Sequence, residues 1–198
     1  MSATLDPTLQ RFAELAEAYC AFIERFAEHP ADAVLHEAHS RLPVLYAAAL
    51  RLPDVCSDPA DDGEAEHNED DSEEIAVVAT KPQPGAMTND EWMELWRGLG
   101  KHLGDRKFYR EMFAPYDFNE AEPVVGDLAD DLADIYRDIR RGLGKWRLGD
   151  SAGAAWEWQF HFAAHWGEHA TSALRALHAL AFDHGLGPPP LGVTPDER

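Results

Sequence analysis

Cysteine, basic residues and long apolar runs are all scarce in this chain, and each scarcity excludes something. The two cysteines, Cys20 and Cys56, lack C-x-x-C spacing, so we expect free thiols in a reducing cytoplasm. Lys and Arg number 17 against 37 Asp and Glu, and the resulting net charge of -20 makes binding to nucleic acid improbable. The apolar runs fall far short of the roughly 20 residues of a membrane span. With no signal-peptide pattern at the N-terminus, we expect a cytoplasmic protein without a membrane partner.

Helix-period patterns predict an all-α fold. Apolar residues recur three and four positions apart in five stretches, and we find no strand pattern of alternating polarity. We predict a single-domain bundle of about five helices over 1–184, with a disordered Pro/Gly-rich tail at 185–198. The expected helices cover about 7–30, 31–52 (kinked or split at Pro43), 88–103, 127–143 and 151–184, with a further turn or two at 108–113 and an irregular stretch at 114–126.

An acidic segment interrupts this bundle at 53–88. Its part from Asp54 to Glu74 holds 11 acidic residues and no Lys or Arg, which is more than half of the net charge of the chain. Such a composition cannot bury enough apolar area to offset the entropy lost on ordering. We therefore predict a mobile insert, within which Ile75 to Ala79 form a short strand or pack on the bundle.

The most suggestive pattern lies in the fifth predicted helix, where Glu157, His161, His165 and His169 follow one another at steps of four. That spacing stacks side chains on one face of a helix, and imidazoles four apart can share a metal ion with a carboxylate from a neighbouring helix. The fourth predicted helix offers several aspartates for this role. The candidate ligands of a divalent metal ion are His165, His169, Asp131 and Asp134.

A plainer interpretation of the same residues is structural. A wheel at about 100° per residue places Trp156, Phe160 and Ala163 in the core and the histidines mostly opposite, with His161 in solvent. The aspartates of the fourth helix then form a polar face that complements the helix dipole. In this alternative the polar groups form a hydrogen-bond network joining the two helices. Its further candidate members are Asp130, Tyr136, Arg175 and His178.

Positive charge is concentrated in two short stretches that hold 10 of the 17 basic residues. The pentapeptide RGLGK occurs in both, at 97–101 and 141–145. Neither copy has the earlier glycine or the following Ser or Thr of a phosphate-binding loop, so we exclude a nucleoside-triphosphate site. We expect glycine caps and basic last turns at helix ends, with an anion or RNA phosphate contact as the alternative. The basic residues are Arg97, Lys101, Arg106, Lys107 and Arg110, and Arg137, Arg140, Arg141, Lys145 and Arg147.

Two segments carry a resemblance to a known family. They are LADDLADIYRDI at 128–139 and WEWQFHFAAHWGEHA at 156–170, the latter followed by ALRALH at 173–178. On these residues the chain resembles members of the bacterial domain-of-unknown-function family 5063. The resemblance implies a small all-α cytoplasmic protein and brings no activity or catalytic residue with it.

Two hypotheses about function follow. The chain has no G-x-S-x-G elbow and neither cysteine has an evident histidine partner, so we assign no catalytic residue and favour a protein that is not an enzyme. The leading hypothesis is a macromolecule-binding module that needs no cofactor and meets a basic protein partner, through the polar strip between helices four and five. The alternative is a metal-dependent bundle that uses His165, His169 and a helix-four aspartate. The sequence does not indicate an oligomeric state.

Overall fold

The first two helices form an antiparallel pair. The computed structural model describes residues 6–53, 83–112, 116 and 122–183. Helix α1 (Pro7–Glu24) begins where the Asp6 side chain accepts a hydrogen bond from the Thr8 amide, and a 3-10 turn (Phe26–Glu28) links it to α2 (Ala31–Ala49). Pro43 lies inside α2 without splitting it. The buried sides of both helices carry the expected apolar residues, and Cys20 is buried among them as a free thiol.

Helix α3 (Asn89–Leu103) begins at a capping box formed by Thr88 and Glu91. The Thr88 hydroxyl accepts from the Glu91 amide, and the Glu91 carboxylate accepts from the Thr88 amide at 2.7 Å. Pro84 and Gly85, which fall in the last part of the predicted insert, lie against α4 (Leu128–Arg147). Residues 54–82, including the predicted strand at 75–79, lie outside the described residues, as do Cys56 and the tail from 184 onward.

A two-stranded hairpin replaces the helix expected at 108–113. After a 3-10 turn (Gly104–Lys107), β1 (Phe108–Glu111) pairs antiparallel with β2 (Val124–Asp127), so the irregular stretch expected at 114–126 also ends in a strand. Tyr109 lies opposite Gly126, where a Cβ atom would come within 2.3 Å of the tyrosine ring. The expectation failed because four-residue strands are too short for their alternation to stand out from a helical pattern. The other regular elements of the described residues are all helices, so the fold class is all-α, as predicted.

Helix α4 is the central element of the bundle. It packs against α1, α3 and both halves of the last helix, and its apolar side is completely buried. Its N-terminus is capped by Asp127, whose carboxylate accepts from the Ala129 amide at 2.9 Å. Within the described residues, no helix is long and apolar enough to cross a membrane.

The last helical rod contains an extra residue. It consists of α5 (Ser151–His161), a π-helical turn (Phe162–Trp166) and α6 (Gly167–Asp183). The Gly167 amide donates to the Phe162 carbonyl five residues earlier, and a Cβ atom at 167 would lie 2.4 Å from that oxygen. A π turn shifts the residues after it by about 100° on the wheel, because it inserts one residue into the 3.6-residue repeat.

The π turn explains why the helical wheel was wrong. Trp158 and Trp166 are the fully buried aromatic residues of the rod, whereas the expected core residues Trp156 and Phe160 are about two-fifths exposed. Ala163 is exposed as well. A single wheel cannot describe both halves of the rod, and the buried sides of α5 and α6 align only when the extra residue is taken into account.

The glycines of the two RGLGK copies are not helix caps. Both copies lie inside helices, α3 and α4, and the cap of α3 is Gly104. In the second copy, Gly142 faces the Trp158 indole, and Gly144 faces the Pro84 backbone at 2.3 Å from a built Cβ atom. These two glycines allow neighbouring groups to approach the α4 backbone closely.

Candidate metal centre

Three acidic residues of α4 face the histidines of the last rod. Asp131, Asp134 and Asp138 are all buried, with at most 6% of each residue exposed. The polar face expected for the aspartates of this helix is therefore buried at Asp134 and Asp138. The spacing explains the burial, because residues three, four and seven apart share one side of a helix. That side of α4 packs against the rod.

His169 lies between two of these carboxylates. Its Nδ1 is 2.9 Å from Asp131 Oδ1, and its Nε2 is 3.7 Å from Asp134 Oδ2. Burial alone would lower the pKa of His169, but the hydrogen bond to Asp131 and the surrounding carboxylates outweigh it and raise that pKa. Burial also raises the pKa of Asp131, against the opposing hydrogen bonds from His169 and Tyr109. A donated Nδ1–H leaves Nε2 of His169 as the nitrogen with a free lone pair.

His165 is held in the same way by the next acidic residue. Its Nδ1 lies 2.7 Å from Asp138 Oδ2, and the His165 and His169 rings meet edge to face at a centroid distance of 4.7 Å. An Nδ1–H donated to a buried carboxylate fixes the tautomer and leaves Nε2 available to a metal ion, an arrangement typical of metal-ligating histidines.

Asp134, His165 and His169 together form a group that fits a metal ion. One ligating atom from each lies within 4.8 Å of the other two. Two imidazoles and one carboxylate suit zinc, and with open positions they also suit iron and related divalent ions. A metal ion at the centre of the group would require ligand atoms about 2.0–2.2 Å away.

The charge around this group also suits a cation. Asp131, Asp134 and Asp138 bring three carboxylates, and among the described residues Arg137 is the single Lys or Arg in ion-pair contact with any of them, at 2.6 Å from Asp134 Oδ1. Among the described residues, Asp131 and Asp138 have only histidines as ion-pair partners. Buried charge of this kind is costly unless it is paired, and a divalent ion would pair it.

The cluster continues toward α5, where the expectation of a solvated His161 is wrong. The His161 side chain is only 16% exposed, with Nε2 at 3.2 Å from Glu157 Oε2 and at 3.2 Å from the Arg141 guanidinium. Glu157 is itself buried and pairs with Lys145 at 2.7 Å. Because two cations contact Glu157 and His161, this end of the cluster is balanced and less suited to a metal ion.

The hairpin covers the opposite end of the cluster. The Tyr109 hydroxyl lies 2.8 Å from Asp131 Oδ2 and 3.0 Å from Glu111 Oε2, and the Ser172 hydroxyl donates to Glu111. A cavity of about 140 Å³ lies here, lined by Tyr109, Asp131 and His169 among others. Through Asp131, the hairpin is therefore connected to a histidine of the candidate metal group.

With the fold and this geometry established, comparisons with known proteins identify the family. The family model described as "Domain of unknown function (DUF5063)" matches residues 3–183. The chain belongs to the DUF5063 family. A comparison with curated proteins finds no match. The crystal structure of protein BF1032 from Bacteroides fragilis is similar to this DUF5063 chain, with a TM-score of 0.65 and 21% identity over 89% of this chain and 94% of that one. At that identity the likeness supports the fold alone.

The structure unites some candidate residues of this DUF5063 chain and separates others. His165, His169, Asp131 and Asp134 meet as described. The four further network candidates do not form one group. Asp130 is half-buried beside Asp134, and Tyr136 donates to Glu24 of α1 at 3.0 Å. His178 packs against His39 and Phe182, and Arg175 lies at a separate cavity.

Several residues of the site were not singled out from the sequence of this DUF5063 chain. Nothing distinguished Asp138 from the other aspartates of the fourth helix. It lies opposite His165 because of the π turn, and no feature of the sequence indicates that turn. Tyr109 and Glu111 reach the cluster from one face of β1, two positions apart. Alternate residues of a strand point to the same side, so a strand at 108–111 would have placed Tyr109 and Glu111 on one face.

Proposed function

We propose that the protein binds a divalent transition-metal ion through Asp134, His165 and His169. The observation that carries the proposal is the convergence of these three residues, with both histidines anchored through Nδ1 by Asp131 and Asp138. Such carboxylate partners orient a ligating histidine and strengthen it as a ligand. When bound, the ion would act as a Lewis acid, or it would lower the pKa of a bound water molecule enough to give hydroxide near neutral pH.

Three protein ligands leave at least one coordination position open. Structural zinc sites fill all four positions with protein ligands, whereas catalytic sites keep one for water or substrate. His165, with about a third of its side chain exposed, gives this group contact with solvent. The open position favours a metal that acts on a small molecule over a metal that only stabilises the fold.

Metal analysis of protein purified without an affinity tag tests the proposal. We expect about one Zn, Fe, Mn or Ni ion per chain, and a visible Co²⁺ absorption band when metal-free protein is titrated with cobalt. His169→Gln should weaken cobalt binding about 100-fold or more, since it removes a ligand. The matched control is His178→Gln, which removes an exposed histidine of α6 outside the cluster and should leave the affinity for cobalt unchanged. Sub-stoichiometric metal together with no cobalt band would overturn the proposal.

A second candidate function, binding of a basic protein partner, has one specific observation in its favour. The Trp156 and Phe160 rings stack with a centroid distance of 4.8 Å, and each residue is about two-fifths exposed. Exposed aromatic residues are enriched at protein interfaces. The polar strip between helices four and five gives less support, because its carboxylates are buried. A pull-down at low salt should recover a stoichiometric basic partner, and Trp156→Ala should reduce its recovery. No such partner would count against this function.

A further inference from the structure

A second cavity, of about 270 Å³, lies between the hairpin and α6. It is separate from the candidate metal group, although Tyr109 lines this cavity and also contacts the cluster through its hydroxyl. Three arginines line it, from three different elements. Arg106 belongs to the 3-10 turn before β1, Arg110 to β1 and Arg175 to α6.

No carboxylate lines this cavity. Arg106 pairs with Asp32 of α2, but within the described parts of the chain neither Arg110 nor Arg175 has a carboxylate within ion-pair distance. Arginines without a carboxylate partner are unexpected in a chain with 37 acidic and 17 basic residues. Because Asp32 offsets the charge of Arg106, the repulsion at this concave surface is between Arg110 and Arg175, and a bound anion would offset it.

The rest of the lining is apolar. Phe108, the Tyr109 ring and Leu180 contribute to the cavity wall, and Phe108 is about half exposed. Guanidinium groups bind phosphate and carboxylate oxygens through paired hydrogen bonds, and their planar faces also stack on rings. A cavity with arginines and an apolar wall fits a ligand that has a multiply charged anionic group and an apolar or aromatic body. The cavity volume of about 270 Å³ is slightly below the roughly 300–1,000 Å³ of typical ligand pockets, so it limits that body to about one ring.

We propose that this arginine cavity, defined by Arg106, Arg110 and Arg175, binds a small organic phosphate whose apolar part rests on Phe108 and Leu180. A dianionic phosphate meets the two arginines that have no carboxylate partner better than a single negative charge does. The binding requires no metal ion and is independent of the proposed function of the Asp134, His165 and His169 group.

The test uses phenylphosphonate, a phosphate-like dianion with one aromatic ring and no hydrolysable bond. Metal-free protein, prepared with EDTA, is titrated by calorimetry and by NMR at near-physiological salt, so that metal coordination cannot hold the ligand. We expect saturable binding at one site, with Tyr109 and Leu180 resonances shifted. Inorganic phosphate should bind more weakly because it lacks the ring, and benzoate should bind more weakly because it carries one charge.

Variants locate the site. Arg110→Gln and Arg175→Gln should each weaken phenylphosphonate binding about tenfold or more. Arg97→Gln removes an exposed arginine of the same basic stretch away from the cavity, and it should leave the affinity unchanged. Thermal unfolding of each variant establishes that it is folded. Failure to saturate, or equal weakening by all three substitutions, would show nonspecific attraction and overturn the proposal. Either outcome leaves the metal hypothesis to its own test.

Discussion

Substituting Gly142 with alanine tests the packing between α4 and α5 directly. A Cβ atom at this position would lie 2.3 Å from Nε1 of the Trp158 indole and 2.5 Å from its Cδ1. Trp158 cannot move aside easily, since it is completely buried and packs against the Phe12 ring at a centroid distance of 4.9 Å. Its indole N–H also donates to the Ile139 carbonyl at 2.9 Å.

The magnitude follows from three contributions. Overpacking a well-filled core costs about 1–3 kcal/mol. Displacing the indole disrupts a buried hydrogen bond, at a cost of about 1–3 kcal/mol. Alanine favours a helix interior over glycine by about 1 kcal/mol, which partly offsets these losses. We therefore expect Gly142→Ala to lower the free energy of unfolding by about 1–5 kcal/mol.

Urea unfolding followed by circular dichroism measures this effect. The matched control is Gly100→Ala in the first RGLGK copy, where the nearest atom is Nζ of Lys107 at 3.1 Å, the end of a side chain that pairs with Asp127, rather than backbone or a buried indole. The control should stay within about 0.5 kcal/mol of the original protein or exceed its stability by the helix preference. Equal stability of Gly142→Ala and the original protein would refute the reasoning, as would a larger loss in the control.

Three further predictions concern Asp138, Cys20 and His39. Asp138→Asn should weaken cobalt binding about 10- to 100-fold, as measured by absorption titration, because His165 loses its carboxylate partner; unchanged affinity would contradict that role. Burial raises the pKa of Cys20 to about 12, so in a Cys56→Ser variant Ellman's reagent should label the thiol at pH 8 only as fast as the protein unfolds, and rapid labelling would argue against the burial. Burial, then the charge of His178, lowers the pKa of His39. The unfolded chain therefore binds this proton more readily, and the contribution of His39 to stability should be lost as pH falls below about 6.5; an NMR-measured pKa at or above that value would disprove this.

The helices were predictable because their signals are local. The Asp6 cap, the Thr88–Glu91 capping box and the apolar periodicity of α4 each lie within a few residues, and the structure has all three. The hairpin was not predictable in the same way. Its pairing joins residues that are 13 to 19 positions apart, and the reason for Gly126 is the Tyr109 ring on the other strand.

The site was predictable in composition and not in geometry. The four-residue steps selected His165 and His169, and the candidate carboxylates of the fourth helix included Asp131, which contacts His169. The burial of Asp134 and Asp138 was not predicted, because it depends on how α4 and the rod face each other. His161 was misplaced because the wheel used one register through a rod that has two.

The π turn constrains how the last rod can vary in length. Deleting one residue between Phe162 and Trp166 would restore a regular α-helix and turn α6 by about 100° relative to α5. Trp158 and the Leu177 side of α6 would then no longer face the bundle together, and His169 would rotate away from Asp131. Glycine at 167 permits the wider turn, so the orientation of α6 relative to α5 depends on one position without a side chain.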